Sequence, residues 1–296
     1  MASLLSVGVI VPTGAFAERA ALIRRALASI LSQEGVNAVP VVVVNGPNRC
    51  PELVRELGSD PRVRLIEIPQ AGIPGALSAG RDAMQCEWFS SLDDDDLYLP
   101  DALATRVQAL RARPECGAVV TNGYVRGHGV ERLHVPDMQR VARDPLKALT
   151  EGNWLLPGSW MCRTESVGSG LFHRMPRMLE CTYLALQLVL HCRPCFLDRP
   201  TVVWNTDTPG SASKSRDYRI GHVEALEQLL QLPLPPDTRR WLMASRTSAR
   251  HERADFHLRE KALLQAWPWH IRTLTSRGGW RHAPFMLRLL LAALRR

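Results

Sequence analysis

The sequence predicts an α/β fold: a doubly wound, mixed but mostly parallel sheet flanked by helices, followed by a helical C-terminal extension. Three observations predict it. Short β-branched runs alternate with amphipathic helical stretches from residue 7 to about 121, the pattern of repeated strand–helix–strand units. One run, residues 39–44, is apolar at every position, as a strand in the middle of a parallel sheet must be. Beyond residue 220 no strand-like run recurs, and the pattern reads as helix to the end.

Taken in order, the first strand covers residues 7–11 and is stopped by Pro12-Thr13-Gly14. The same stretch ends in Ala15-Phe16-Ala17, which looks like a signal-peptidase site. No Lys or Arg precedes the apolar run, however, and Pro12 and Gly14 break it, so a strand is favoured. A helix over 18–32 follows, with Leu22, Ile23, Ala26, Leu27, Ile30 and Leu31 on one face. The strand at 39–44, a helix at 52–57, a strand at 63–68, a helix at 74–85 and a strand at 88–92 come next. Pro100 opens a helix to about 113, and 117–121 is a further strand. Residues 126–176 read mostly as loop with short elements. A strongly apolar helix at 178–191, a strand at 199–204 and a polar, Ser-rich loop at 205–217 complete a first domain of residues 1–215. Residues 216–296 form the helical extension. In such sheets ligands bind at the carboxyl ends of the strands, which directs attention to Pro12-Thr13, Asn45-Gly46 and the residues after Leu92.

Composition narrows the function classes. The chain has 296 residues, 46% hydrophobic and 22% charged, enough apolar content to exclude intrinsic disorder. Seven Cys without framework spacing read as a reducing compartment and a cytoplasmic protein. The net charge of +8 sits in the tail: residues 241–296 carry 11 basic and 3 acidic side chains, and the first 240 balance at 26 of each. A body with no net charge argues against nucleic acid as a partner. No run approaches the length of a transmembrane helix.

Asp93-Asp94-Asp95-Asp96 is the most informative segment. Acids ahead of a helix beginning at Pro100 favour its positive end, which is worth about 0.3–1 kcal/mol for each of one or two of them. That does not account for four at the carboxyl end of a strand. A hard divalent cation, Mg²⁺ or Mn²⁺, held by an Asp-x-Asp pair and sharing its other positions with phosphate oxygens and water, does.

With these pieces in place, the chain resembles the inverting nucleotide-sugar glycosyltransferases of family 2, which have the GT-A fold. The resemblance covers roughly residues 6–215 and rests on joint order: SVGVIVPT, RRALASILSQ, VVVVNGPN, DPRVRLIEIPQAGIPGALSAGRDAM, WFSSLDDDDLYLPDAL and TVVWNTDTPGSASKS. It implies that Pro12 and Thr13 line the nucleobase pocket and that Arg81 faces the donor. It also implies that Asp93 lies toward ribose and metal, that Asp95 is a direct metal ligand, and that Asp94 is a supporting contact. For Arg81 alone, a solvated helix charge is an equal reading.

Two positions depart from the family pattern. The second strand ends in Val44-Asn45-Gly46 where an acid would recognise the base; the Asn45 amide still offers an acceptor and two donors. In Glu180-Cys181-Thr182-Tyr183-Leu184, Cys181 stands where the family places its Asp base. A thiol with an ordinary pKa near 8.5 is mostly protonated at neutral pH, and its thiolate would compete as a nucleophile. Glu180, one residue away, is therefore the candidate base; its alternative role is to stabilise a helix N-terminus.

Three other features have two readings each. Cys192-Arg193-Pro194-Cys195 has redox or zinc spacing, yet no second Cys pair accompanies it and buried apolar thiols are the better reading. Trp154 and Trp160 would stack on a sugar or pack in the core. The tail segment FMLRLLLAALRR, with Arg288 and Arg295 seven apart and Trp267, Trp269 and Trp280 before it, reads as a peripheral membrane helix or as a helix packed on protein.

The expectation is a metal-dependent inverting transfer of sugar from a nucleoside-diphosphate sugar to a saccharide or lipid-linked acceptor, at the cytoplasmic side of a membrane. The alternatives are a non-catalytic nucleotide-sugar or glycan-binding relative and an Asp-based phosphotransferase. The latter's motif commonly carries Thr or Val where this chain has Leu97.

Overall fold

The computed structural model describes residues 5–210 and 216–294, so residues 1–4, the Ser-rich segment 211–215 and Arg295 and Arg296 lie outside it. The described residues form two compact units. One comprises the chain up to Met175 together with Glu180–Pro209; the other comprises Pro176–Leu179 and the chain from Gly210 onward.

In the first unit β1 (Ser6–Thr13) leads through a 3-10 turn (Ala17–Arg19) into α1 (Ala20–Leu31), and β2 (Asn37–Asn45), α2 (Pro51–Ser59), β3 (Arg64–Ile68), α3 (Ile73–Asp82) and β4 (Trp88–Ser91) follow. These four strands are parallel, in the spatial order β3-β2-β1-β4. β2, β3 and β4 are each fed by a helix because a parallel neighbour can be reached only by crossing over the sheet. The crossover by α3 packs closely: a Cβ on Gly80 would lie 2.5 Å from Cγ2 of Ile10 in β1, so the helix meets the strand through a residue without a side chain.

Next come β5 (Leu97–Tyr98), α4 (Ala102–Ala112), β6 (Ala118–Gly127), β7 (Val130–Leu133), α5 (Met138–Arg143), α6 (Pro145–Glu151) and β8 (Trp160–Arg163). The unit ends with α7 (Gly170–His173), α8 (Glu180–Gln187) with a π-helical turn (Leu188–Cys192), and β9 (Pro194–Asn205). Here the sheet turns mixed. β8 enters antiparallel between β4 and β6, β9 runs parallel to β6, and β5 closes the far edge antiparallel to β9. β8 is only four residues long, too short to show alternation in the sequence. β6 outruns its expected end at 121 because its polar residues are bonded internally: Thr121 Oγ1 to Thr201 Oγ1 at 2.6 Å, and Asn122 Nδ2 to the Val135 carbonyl at 2.7 Å.

The second unit is helical, with α9 (Arg216–Leu229), α10 (Pro236–Arg259), α11 (Leu263–Leu274), a 3-10 turn (Gly279–His282) and α12 (Phe285–Leu294). Its small core joins Ala254, Leu263, Ala266, Phe285 and Leu289. Among the described residues no helix is long and apolar enough to cross a membrane.

Candidate active site

The register of the parallel strands builds the site. Val9 and Ile10 of β1 lie opposite Ser90 and Ser91 of β4, and the Leu92 N–H continues the ladder to the Ile10 carbonyl at 3.0 Å. The end of β1 and the Asp run after β4 therefore meet at the carboxyl edge of the sheet. Thr13 Oγ1 donates to Asp94 Oδ2 at 2.6 Å and in turn accepts the Ala15 N–H at 3.0 Å.

Arg19, at the end of the 3-10 turn, reaches the same place. Its Nε donates to Asp94 Oδ1 and Oδ2 at 3.1 and 3.2 Å, its Nη2 also donates to Asp94, and Nη2 lies 3.2 Å from Asp95 Oδ2. Burial opposes the charge on Arg19, but the hydrogen bonds and field of Asp94 and Asp95 outweigh it and raise its pKa. Sequence reading missed Arg19. The available signal was a cation at the N-terminal end of α1, where the helix dipole disfavours it unless an acid compensates. The Asp95 carbonyl accepts from Arg25 Nη2 at 2.9 Å and Asn205 Nδ2 at 2.6 Å, so the turn itself is pinned from α1 and β9.

The other acids of the run differ. Asp96 is fully buried; one oxygen accepts the Asn205 N–H at 2.8 Å and the other, Oδ2, has no partner. Burial, then the charges of Asp93 and Asp95, push its pKa well up. Asp93 is recessed in the same cluster; burial, then Asp95, Asp94 and Glu180, push its carboxyl up to about 7. Glu180, the first residue of α8, is likewise raised to about 7 by burial. The Cys181 thiol is pushed well up by burial and by the fields of Asp93, Glu180 and Asp96. The thiol therefore faces the acids and stays protonated, which disqualifies it as a base at neutral pH.

Among the described residues no group of three or more His, Cys, Asp or Glu is arranged to hold a metal alone. The site does fit a cation that shares its ligands with a phosphate group. Its donors are hard carboxylate oxygens, and an orphaned buried oxygen with a neighbouring acid near 7 marks negative charge that the protein leaves uncompensated.

Two predicted residues have local occupations. Asn45 Nδ2 donates to the Thr13 carbonyl and its Oδ1 accepts the Gly72 N–H, both at 2.9 Å, so its amide ties together three turns at the sheet edge. Arg81 donates from Nε to the Val167 carbonyl at 2.6 Å and from Nη2 to the Thr164 carbonyl, with its guanidinium over Phe89. Both reach backbone of the segment after β8. Pro12 is buried in β1 beside Val43. Trp154 and Trp160 are core residues, edge-on to Phe196 and Phe89 respectively. Cys192 and Cys195 are buried free thiols, raised to about 11 and about 12 by burial.

Residues 9–164, more than half of the chain, match the family described as Glycosyl transferase family 2. The chain belongs to that family. This family 2 glycosyltransferase is 36% identical over 136 residues to the succinoglycan biosynthesis protein ExoO of Rhizobium meliloti (strain 1021); the match covers 44% of this chain and 38% of ExoO. The crystal structure of S. aureus TarS 1-349 in complex with UDP-GlcNAc is similar with a TM-score of 0.55 at 15% identity, over 91% of this chain and 80% of that one. The crystal structure of S. aureus TarS is similar with a TM-score of 0.56 at 14% identity, over 91% of this chain and 54% of that one. At such identities the likeness establishes the fold, a GT-A sheet flanked by helices.

Proposed function

We propose that the chain is a metal-dependent, inverting glycosyltransferase that uses a nucleoside-diphosphate sugar, and that the first domain, residues 1–215, performs the transfer. One observation carries the reading: Glu180 and Asp93, each raised to about 7, share one electrostatic cluster at the carboxyl edge of the sheet. A carboxylate with a pKa near the working pH is suited to general-base catalysis. The similarity to ExoO, a succinoglycan biosynthesis protein, supports polysaccharide assembly as the setting, and the TarS complex with UDP-GlcNAc supports a nucleotide-sugar donor.

In this reading Glu180 accepts the proton of an acceptor hydroxyl as its oxygen bonds to the anomeric carbon. The bond from that carbon to the diphosphate breaks, and the nucleoside diphosphate leaves with its electron pair. Asp93 and Asp95 would hold Mg²⁺ or Mn²⁺, and Asp93 and Asp94 would flank the ribose and diphosphate. A divalent cation supplies positive charge against the departing diphosphate. Pro12, Thr13 and Asn45 frame the nucleobase side through the turns they fix. Arg81 acts as a positioning residue through its ties to the segment after β8. Arg19 holds Asp94 and Asp95 close together through its guanidinium. The acceptor would be a saccharide or lipid-linked intermediate met at the cytoplasmic face of a membrane.

The test is release of nucleoside diphosphate from a panel of nucleotide sugars, with Mn²⁺ and with a chelator, in the presence of lipid-linked and soluble saccharide acceptors. Metal-dependent release that requires an acceptor and inverts the anomeric centre is the expected result. Saturable nucleotide-sugar binding without turnover would replace it with the binding-protein reading, which the Cys at position 181 favours.

A further inference from the structure

The C-terminal helix is seated in the second unit by a narrow face. Phe285 and Leu289 are buried at 5% and 0% exposure, while Met286, Leu287, Leu290, Leu291 and Leu294 lie between 38% and 83% exposed. At 3.6 residues per turn those five fall within an arc of roughly 140°, nearly opposite the buried pair. Trp280, in the turn just before the helix, is 72% exposed with Arg281 stacked near its ring. A soluble surface rarely leaves so many large apolar side chains side by side without an occupant.

We propose that this face docks on a lipid leaflet containing anionic phospholipid. Charge decides between occupants: residues 241–296 carry 11 basic and 3 acidic side chains, so a second copy of the same face would bring like charges together, whereas an anionic leaflet attracts them. Asp255 is paired with Arg259 and Arg288, at 2.6 and 2.9 Å, and the net excess of the segment is eight basic charges. The two faces decide the mode. Phe285 and Leu289 are held in the core of the second unit, so the helix lies in the interface with the leucines of its opposite face among the acyl chains. Trp280 sits at the headgroup level, as an amphipathic ring does. This surface does not depend on the transfer reading.

The experiment is flotation of the full chain with phosphatidylcholine vesicles, with and without phosphatidylglycerol. It compares the wild type, the double variant Leu287→Ser/Leu291→Ser, and Leu264→Ser, an 83% exposed leucine on α11 outside the face. Expected are binding that requires phosphatidylglycerol, weakens with salt, falls at least tenfold in the double variant and persists in Leu264→Ser. Thermal unfolding of the double variant should match the wild type, since both leucines are exposed. Equal vesicle binding by wild type and double variant overturns the proposal. So does a wild-type dimer in sedimentation equilibrium that the double variant loses, because the face then covers a second copy. Nucleotide-sugar turnover in vesicle-free solution, measured on the same samples, reports separately on the transfer reading.

Discussion

Asp94 and Asp95 lie against the guanidinium of Arg19 and the hydroxyl of Thr13, whereas Asp93 and Asp96, their immediate neighbours in the chain, have no cation in hydrogen-bond contact among the described residues. The two halves of one acidic run thus answer the same repulsion in opposite ways. The compensated half is fixed by contacts with a guanidinium. The uncompensated half, joined by Glu180, is driven toward protonation. A protein that needed only stability would compensate both. The difference separates acids fixed by a neighbouring guanidinium from acids left without a cation beside them.

The strongest way to break this division is Glu180→Gln. If Glu180 is the working base, transfer falls by about 10²–10⁴-fold while donor binding persists, as single-turnover rates and calorimetry would report. Cys181→Asp should then be tolerated and Cys181→Ser mild; normal transfer by Glu180→Gln beside a dead Cys181→Ser reverses the assignment. Next in size, Asp95→Ala should remove Mn²⁺-dependent donor affinity while the fold survives, and unchanged affinity in Mn²⁺ titrations would remove Asp95 from the ligands.

The compensated half is tested by Arg19→Gln. Arg19 is only part-buried, so removing it should cost less than the roughly 3–5 kcal/mol of a fully buried pair; chemical denaturation should still show a loss, and Asp94→Asn added to Arg19→Gln should restore part of it. A neutral Arg19→Gln would mean that Arg19 does not stabilise the turn. The smallest effect is in pH. An acid whose folded pKa is raised leaves stability intact below the ordinary carboxylate range and loses it as pH rises through the folded value. With Asp93 and Glu180 both raised from the ordinary carboxylate range to about 7, the melting temperature in chelator should decline from about pH 4 to about pH 7 and level off above it. Asp93→Asn should flatten that decline; a curve unchanged by the substitution would show that Asp93 is not the titrating group.

Most of the parallel half of the sheet was legible because its strands are apolar on both faces and its helices have one apolar stripe. The strands at residues 6–13, 37–45, 64–68 and 88–91 needed only adjustment at their ends. The second half was not. β8 is four residues with no alternation, and β9 begins at Pro194 rather than 199, with a register shift against β6 near Asn122 that no local pattern encodes. In the site, the Asp run was visible because four acids in a row at a strand's end are unusual, and Glu180 only through the resemblance to the family's acid pair at a helix start. The occupations of Asn45 and Arg81 were invisible, because a side chain that binds backbone carbonyls or amides looks in sequence like one that binds a ligand.

The sequence by itself determined the α/β class, the placement of carboxylates after an apolar strand and the basic, apolar tail, since periodicity and local charge are properties of neighbouring residues. Tertiary structure alone decided which charges meet. Arg106 reads as an ordinary helix cation, yet it is fully buried, donating to Ser90 Oγ, the Trp160 carbonyl and Thr201 Oγ1 from three separate strands. Arg19 lies 75 residues from Asp94 in the chain and bonds to it. A carboxylate's protonation state follows from burial and from charges within a few ångströms, and those distances are set by strand register rather than by any run of residues.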